Sequence, residues 1–174
     1  MRFEPVGTED QIKQLAAMAD EIWHEYWPAL IGEDQTDYMV EQFQSFMALI
    51  RDIRNGEYEY WFLVDDESGE DRFVGYTGGK VERETNRFFI SKIYLYANER
   101  GKGYASRVIR FYERLCNMRN LDAMYLTVNK HNDIAIRAYE AKGFETIEAA
   151  ETDIGEGFIM DDYIMEKGVG TEKA

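Results

Sequence analysis

The sequence has few residues that form disulfides, break helices and strands, or bind metals. Its 174 residues include one cysteine, two prolines and two histidines. A single cysteine excludes an internal disulfide, and a free thiol with eight methionines indicates a reducing, cytoplasmic location. The two histidines, His24 and His131, lie far apart without cysteine or aspartate at ligand spacing, so we expect no metal site.

Positive charge and long apolar runs are also scarce. The chain has 20 basic and 34 acidic residues, a net charge of −14. Because nucleic acids and anionic membranes attract basic proteins, we expect neither as a partner. No apolar run approaches the roughly 18 residues that span a bilayer. With 45% hydrophobic residues, the chain is expected to fold as an ordered globule with a substantial core.

Hydrophobic periodicity predicts a strand, two helices, three strands, a helix, a strand, a helix and two strands. The first two helices are predicted over residues 8–27 and 36–56, with Thr8 as the N-cap of the first. A short helix over residues 132–143 follows the fifth predicted strand, with Asn132 as its cap and Gly143 at its end. This order predicts an α/β (α+β) domain over residues 1–168, followed by a frayed tail over residues 169–174.

A glycine-rich turn between basic side chains occurs in the segment NERGKGYASRVIR, residues 98–110, directly before a helical pattern. Residues 98–114 hold five basic and two acidic side chains in an otherwise acidic chain. Because the first N–H groups of a helix have no intrahelical partner, they can bind a phosphate here. An ordinary helix start with a solvated basic face is the alternative.

Two other nucleotide-binding loops fit this turn less well. The P-loop spacing is absent from the sequence. A dinucleotide-binding loop requires a third glycine where this chain has Ser106, and an acid at the end of the next strand, where it has Asn129 and Lys130. The pattern R-x-x-G-x-A, formed by Arg100, Gly103 and Ala105, therefore fits best.

A second motif, NDIAIRAYEAKGFE, lies about thirty residues downstream of the first. Together with LYANERGKGYASRVI it resembles the GNAT superfamily of acyl-CoA-dependent N-acyltransferases, and the order of strands and helices is similar along nearly the whole chain. Segments such as SKIYLY and LTVNKHN resemble a bacterial branch of that superfamily, and the D-x-I-M-x-K ending is loosely similar to polyamine acetyltransferases. The resemblance implies a single-domain GNAT-like fold, a mixed, mostly antiparallel sheet of about seven strands splayed near the middle, with helices on both faces.

The resemblance also implies acetyl-CoA as the cosubstrate and a set of residues that bind it. The pantetheine arm would pair with the backbone of one splayed strand, and the diphosphate would bind the glycine turn. The residues implied for coenzyme A are Ile93, Tyr94, Leu95, Arg100, Gly101, Lys102, Gly103, Tyr104, Ala105, Ser106 and Asn132.

Tyr139 matches the tyrosine that protonates the leaving thiolate in the family, and its alternative role is a core aromatic side chain. Many relatives carry a glutamate as general base on the central strand, whereas this chain has Ser91 and Lys92 there. A water relay or an acid from elsewhere must then remove the proton of the amine. Glu25, Asp161 and Asp162 are the candidates, and spacing does not choose among them.

Two acidic segments are expected to line the acceptor site in this fold. Residues 9–41 carry nine acids and one lysine, and residues 144–166 carry eight acids and no base. Acids attract a cationic amine, and aromatic faces add cation–π contacts; solvated outer faces are the alternative. The candidate acceptor residues are Trp23, Glu25, Tyr26, Trp27, Tyr38, Ser91, Asp161 and Asp162.

The sequence thus favours an N-acetyltransferase that acts on a primary amine, such as a small cationic amine or polyamine. A non-catalytic acyl-CoA sensor on the same fold is the main alternative. An acetyltransferase of protein N-termini is a further one. A homodimer is a weaker expectation from the family. Cys116 falls on the apolar face of its helix, so we expect a buried hydrophobic side chain rather than a nucleophile.

Overall fold

The computed structural model describes residues 1–170, which form one seven-stranded mixed sheet and six α-helices. The strands are β1 (Arg2–Pro5), β2 (Glu59–Asp65), β3 (Arg72–Glu82), β4 (Arg87–Leu95), β5 (Ala123–Asn129), β6 (Glu145–Gly155) and β7 (Phe158–Gly168). The helices are α1 (Glu9–Tyr26), α2 (Pro28–Ile31), α3 (Glu33–Met39), α4 (Phe46–Asn55), α5 (Tyr104–Met118) and α6 (Asp133–Ala141). The strand order is β1-β2-β3-β4-β5-β7-β6. The predicted fold class and number of strands are confirmed.

The described chain packs as two compact units. The first contains Met1–Lys80 and Lys92–Tyr104, and the second contains Val81–Ser91 and residues 105–170. Strands β3 and β4 each contribute residues to both units. The predicted splay between β4 and β5 involves residues of different units and stays a prediction. The predicted division into a domain over residues 1–168 and a tail also stays a prediction.

The first unit is built on antiparallel ladders. Strand β1 pairs with β2, from Arg2 opposite Val64, and β2 pairs with β3 along its whole length. Helix α1 begins at the predicted cap: Thr8 Oγ1 accepts from the Gln11 backbone N–H at 3.2 Å, and Gln11 Oε1 accepts from the Thr8 N–H at 3.0 Å. The core of this unit consists of large side chains from α1, α4 and the strands: Ile12, Leu15, Ile22, Leu49, Tyr60, Phe62, Leu63 and Tyr76.

The prediction of one continuous helix over residues 36–56 is wrong. Helix α3 passes into a π-helical turn, Val40–Gln44, and a new helix, α4, begins after Ser45. Ser45 is extended (φ −68°, ψ 159°), and its hydroxyl oxygen accepts from the Ala48 N–H at 3.3 Å, so it caps α4. The interruption leaves Gln44 buried, where its side-chain oxygen accepts from the Tyr76 hydroxyl at 2.9 Å.

Strands β3 and β4 approach each other closely at Gly75 in the first unit. A Cβ atom built on Gly75 would lie 2.1 Å from the carbonyl oxygen of Tyr94 and 3.0 Å from the Cα of Leu95. Only glycine permits this approach without displacing the backbone of β4. The position of Tyr94 and Leu95 therefore depends on a glycine in the neighbouring strand.

The second unit combines one parallel and two antiparallel strand pairs. Arg87–Ile90 of β4 pair in parallel with Ala123–Leu126 of β5, and β5 pairs with β7, which pairs with β6. Helix α5 packs on the sheet through Tyr112, whose ring lies 5.0 Å from that of Phe88. Helix α6 begins at its predicted cap, since Asn132 Oδ1 accepts from the Ala135 N–H at 3.2 Å.

The described chain remains ordered past its last strand. Val169 is buried, and its N–H donates to the carbonyl of Asp122 at 2.9 Å. Residues 171–174 of the predicted tail lie outside the described residues. Between residues 1 and 170, no helix is both long and apolar enough to cross a membrane.

Candidate active site

The predicted glycine turn links β4 to α5 within a short stretch of irregular backbone. A single 3₁₀ turn, Ala97–Glu99, follows β4, and Gly101 and Gly103 adopt φ values of 78° and 86°. A Cβ atom at either glycine would meet nothing within 4 Å, so the left-handed backbone rather than lack of space requires glycine here. Helix α5 begins at Tyr104, directly after the turn. The first N–H groups of a helix have no intrahelical partner, which suits a helix start to an anion.

Both predicted phosphate-binding cations of the turn are engaged in ion pairs. Arg100 donates from Nη1 to Glu25 Oε1 at 3.1 Å and from Nη2 to Glu25 Oε2, and its guanidinium lies 4.8 Å from the centre of the Tyr26 ring. Lys102 Nζ donates to Glu99 Oε2 at 3.0 Å. A phosphate at this turn would therefore meet backbone N–H groups first, with the two side chains already engaged elsewhere.

A cluster of four polar side chains surrounds the turn. Arg72 donates from Nη1 to Glu99 Oε1 and from Nη2 to Asp65 Oδ2 at 2.9 Å. The Tyr104 hydroxyl donates to Asp65 Oδ2, and this hydrogen bond is the largest factor lowering the pKa of Asp65. Glu99 is only 3% exposed. Sequence reasoning missed this cluster; its one local signal is an acid, Glu99, inside a basic segment.

An aromatic cluster lies on α1 and β4 in the first unit. The Trp23 ring is 5.1 Å from that of Tyr94 and 5.8 Å from that of Trp27, and Tyr26 contacts Trp27 edge-on at 5.2 Å. Trp23 Nε1 donates to the hydroxyl of Tyr76 at 2.8 Å, which fixes the orientation of its indole. Three predicted acceptor residues, Trp23, Tyr26 and Trp27, are thus brought together.

An open pocket of about 310 Å³ lies beside this cluster in the first unit. Its lining residues are Glu21, Ile22, Glu25, Tyr96, Ala97 and Asn98. Burial, together with the charge of Glu21, raises the pKa of Tyr96. The charge of Glu21 makes this pocket attractive to a cation, whereas Glu25 is already paired with Arg100. Tyr38, the remaining aromatic candidate, is half-buried on α3.

Ser91 and Lys92 lie on β4, and both are half-buried. Burial lowers the pKa of Lys92 to about 8, and the nearby charge of Asp52 opposes this shift. The Lys92 Nζ lies 5.8 Å from the centre of the Tyr58 ring, and the Lys92 carbonyl accepts from the Thr77 hydroxyl at 2.5 Å. The lowered pKa of Lys92 could not be predicted from the sequence, because Asp52 and Tyr58 are distant from Lys92 along the chain.

The second unit carries the predicted acid and two of the predicted bases. Tyr139 is half-buried on α6, and its ring lies 5.7 Å from that of Phe144. Asp161 forms an ion pair with Lys130. Asp162 is only 9% exposed and lies opposite Asn129 of β5; burial, then the charge of Asp161, raises its pKa to about 6. The pKa of Asp162 thus lies closer to neutrality than that of an ordinary aspartate.

The other singled-out residues have structural roles. His24 Nε2 lies 2.8 Å from Asp37 Oδ1, and its Nδ1 lies 2.8 Å from the carbonyl of Asp20. Within residues 1–170, no three or more His, Cys, Asp or Glu side chains are grouped to hold a metal ion. Cys116 is fully buried, as predicted, and burial raises the pKa of its thiol to about 11.

Solved structures with a similar fold include N-acetyltransferases. PaiA N-acetyltransferase from Thermoplasma acidophilum, in complex with coenzyme A, is 18% identical with a TM-score of 0.73, covering 97% of this chain and 99% of that one. Spermidine/spermine N-acetyltransferase SpeG from Vibrio cholerae (E33Q and E41Q mutant forms) is 16% identical with a TM-score of 0.67, covering 96% and 92%. Tetrahymena GCN5 is 14% identical with a TM-score of 0.62, covering 98% and 97%.

These structures define the class of fold, an open mixed sheet flanked by helices. The sequence itself identifies the family: the model of the acetyltransferase (GNAT) family matches residues 19–144, most of the chain. The protein belongs to the GNAT acetyltransferase family. A search of curated protein sequences gave no significant match.

Proposed function

We propose that the protein transfers an acetyl group from acetyl-CoA to a primary amine, and that the acceptor is a small cationic amine or polyamine. Family membership and the glycine turn that opens α5 support the choice of donor. The position of Arg100 carries the choice of acceptor. Glu25 and Tyr26 already hold a cation, the Arg100 guanidinium, between a carboxylate and a ring face.

The proposed donor site uses backbone groups more than side chains. The diphosphate binds the N–H groups of residues 100–106, where Gly101 and Gly103 keep the turn open. The pantetheine amides pair with the backbone of Ile93, Tyr94 and Leu95, as an added strand pairs with a sheet edge. Asn132, buried at the start of α6, contacts the same arm.

In the proposed reaction the amine nitrogen attacks the thioester carbon, the new C–N bond forms, and the C–S bond breaks as coenzyme A leaves. A backbone N–H at Ile93 or Tyr94 stabilises the oxyanion. Asp162 accepts the proton that the nitrogen loses, and Tyr139 donates its phenolic proton to the thiolate. The proton on Asp162 then returns to solvent, and Tyr139 is reprotonated.

Asp162 is preferred as the base because the alternatives are neutralised by cations. Glu25 is bound by Arg100, and Asp161 is paired with Lys130. A carboxylate with a pKa of about 6 is largely ionised at neutral pH, yet more basic than an ordinary aspartate.

The proposed acceptor is tested by turnover with spermidine, spermine, amino acids and aminoglycosides, with acetyl-CoA as donor. We expect turnover of at least one of the two polyamines. Tyr26→Leu should raise the KM of that amine, and the matched Tyr26→Phe should not, because phenylalanine retains the ring face. Absence of polyamine turnover would overturn the proposed acceptor. Calorimetry with acetyl-CoA would then test the proposed donor separately.

A non-catalytic acyl-CoA sensor is the second candidate. The observation that favours it is the pair Ser91 and Lys92 where many relatives carry a glutamate. A sensor binds acetyl-CoA without turnover of any amine in the panel. We further propose a cytoplasmic location, supported by the single buried thiol, and a homodimer, as an extension of the family resemblance.

A further inference from the structure

Both ends of the glycine turn are fixed to the same pair of residues in the first unit. Asp65 ends β2 and Arg72 begins β3, and the two lie opposite each other in the ladder. Arg72 holds Glu99, which precedes the turn, and Asp65 accepts from the hydroxyl of Tyr104, which follows it. One cross-strand pair therefore sets the distance between the two ends of the turn.

The contact with Glu99 is the more demanding of the two. The Glu99 side chain is almost entirely removed from water, and a buried carboxylate is costly unless it is paired and hydrogen-bonded. Arg72 and Lys102 together supply that pairing. Because Lys102 Nζ is bound to Glu99, a diphosphate at this turn depends on backbone N–H groups for its binding.

We infer that Arg72 and Glu99 are positioning residues for the donor: they hold residues 99–104 in the conformation that binds the diphosphate, without contacting it. This inference rests on the proposed function. Donor affinity depends on the pair, whereas the chemical step does not. A wholly structural ion pair would instead affect folding and leave the affinity of the folded protein unchanged.

Arg72→Met removes the cation and leaves the buried carboxylate with Lys102 alone. We expect the Kd of acetyl-CoA, measured by calorimetry, to rise about tenfold, as for loss of a hydrogen bond to a charged group. The KM of acetyl-CoA should rise equally, and kcat at saturating donor should stay within about twofold, because no reacting atom is touched.

A double-mutant cycle separates positioning from simple damage. Glu99→Gln weakens the same contact from its other side, so it should also raise the Kd of acetyl-CoA, and the double variant Arg72→Met with Glu99→Gln should bind no more weakly than Arg72→Met alone. Arg72→Lys provides the folding-safe variant: it keeps the charge but cannot reach Glu99 and Asp65 with one planar group, so a smaller rise in Kd is expected.

The outcomes distinguish the inference from the proposed function. A wild-type protein that binds no acetyl-CoA would defeat the proposed function itself. Wild-type binding with an unchanged Kd in the folded Arg72 variants would overturn only the inference. Recovery of donor affinity in the double variant, additive effects of the two substitutions, or a parallel loss of kcat would also overturn it. If Arg72→Met does not fold, Arg72→Lys is judged by the same criteria, and Arg72→Lys is combined with Glu99→Gln for the double-mutant cycle.

Discussion

Arg100 and Glu25 form a two-pronged ion pair in the first unit, with the Arg100 guanidinium stacked over the ring of Tyr26. Arg100 is a residue proposed to bind the donor, and Glu25 is one proposed to bind the acceptor. While the ion pair is intact, Arg100 is not free to bind the donor and Glu25 is not free to bind the acceptor. Either substrate must therefore compete with the pair. This relationship predicts that the two binding events are linked.

Glu25→Gln should release Arg100 and leave it available to the diphosphate. We expect the Kd of acetyl-CoA to fall about two- to fivefold, the amount that a partly exposed ion pair is worth. The KM of the cationic acceptor should rise, because its carboxylate is lost. Calorimetry at low salt is the measurement, since ionic strength screens the effect. An unchanged donor affinity would mean that Arg100 does not exchange partners.

Tyr139→Phe tests the proposed acid with the smallest possible change. Phenylalanine keeps the ring that contacts Phe144, so folding should be preserved. Loss of a general acid should lower kcat about 10²- to 10⁴-fold. The Kd of acetyl-CoA should change little, and steady-state kinetics with calorimetry measure both. An unchanged kcat would remove Tyr139 from the chemical step and return it to a core aromatic role.

Asp162→Asn tests the proposed base through the pH profile. A base must be ionised to accept a proton, so kcat/KM should fall about tenfold per pH unit below the pKa of about 6 in the wild type. The acceptor amine titrates near pH 10.4 in both proteins and adds the same slope to each profile. The bend near pH 6 should disappear in the variant, whose activity is low throughout. A bend retained in Asp162→Asn would assign it to another group.

Asp162 should also make folding stability depend on pH, with stability falling over the pH range in which activity rises. Its pKa is raised in the folded state, so the folded protein binds the proton more tightly than the unfolded chain between about pH 4 and pH 6. Stability contributed by this group is therefore complete at low pH and lost as pH rises through 6. We expect Asp162→Asn to increase the free energy of unfolding by about 1–2 kcal/mol at pH 7.5 and to change it little at pH 3.5. Urea unfolding at both pH values measures this difference.

Gly75→Ala should destabilise the first unit through a backbone clash. The new Cβ would lie 2.1 Å from the Tyr94 carbonyl oxygen, and backbone cannot yield as a flexible side chain can. We expect a loss of about 2–3 kcal/mol, typical of overpacking. Gly7→Ala is the matched control, because nothing lies within 4 Å of its added Cβ. Equal effects of the two substitutions, measured by urea unfolding, would contradict the clash.

The parts of the fold that depend on neighbours in sequence were predictable. Thr8 and Asn132 cap α1 and α6 through hydrogen bonds that reach only three residues along the chain. The glycine turn is likewise a local matter of backbone conformation at Gly101 and Gly103. The break at Ser45 escaped prediction because the apolar positions continue through the π-helical turn, and a capping serine also occurs inside helices.

The partners of charged side chains were not predictable, because the sheet brings them together from distant segments. Arg100 and Glu25 are 75 residues apart, and Arg72 and Glu99 are 27 apart. Sequence reasoning assigned Arg100 and Lys102 to a phosphate because of their type and position. Whether a basic side chain is paired with a carboxylate depends on the tertiary structure and cannot be read from composition.

The buried thiol of Cys116 can be used to measure local unfolding of the protein. Its thiol is the single one in the sequence and is fully buried on α5, with little thiolate at neutral pH. Alkylating reagents can therefore react with it only when this helix detaches, and the rate of modification measures that event. A second cysteine placed on the surface would be labelled first, which allows a dye to be attached at a chosen position without removing the native thiol.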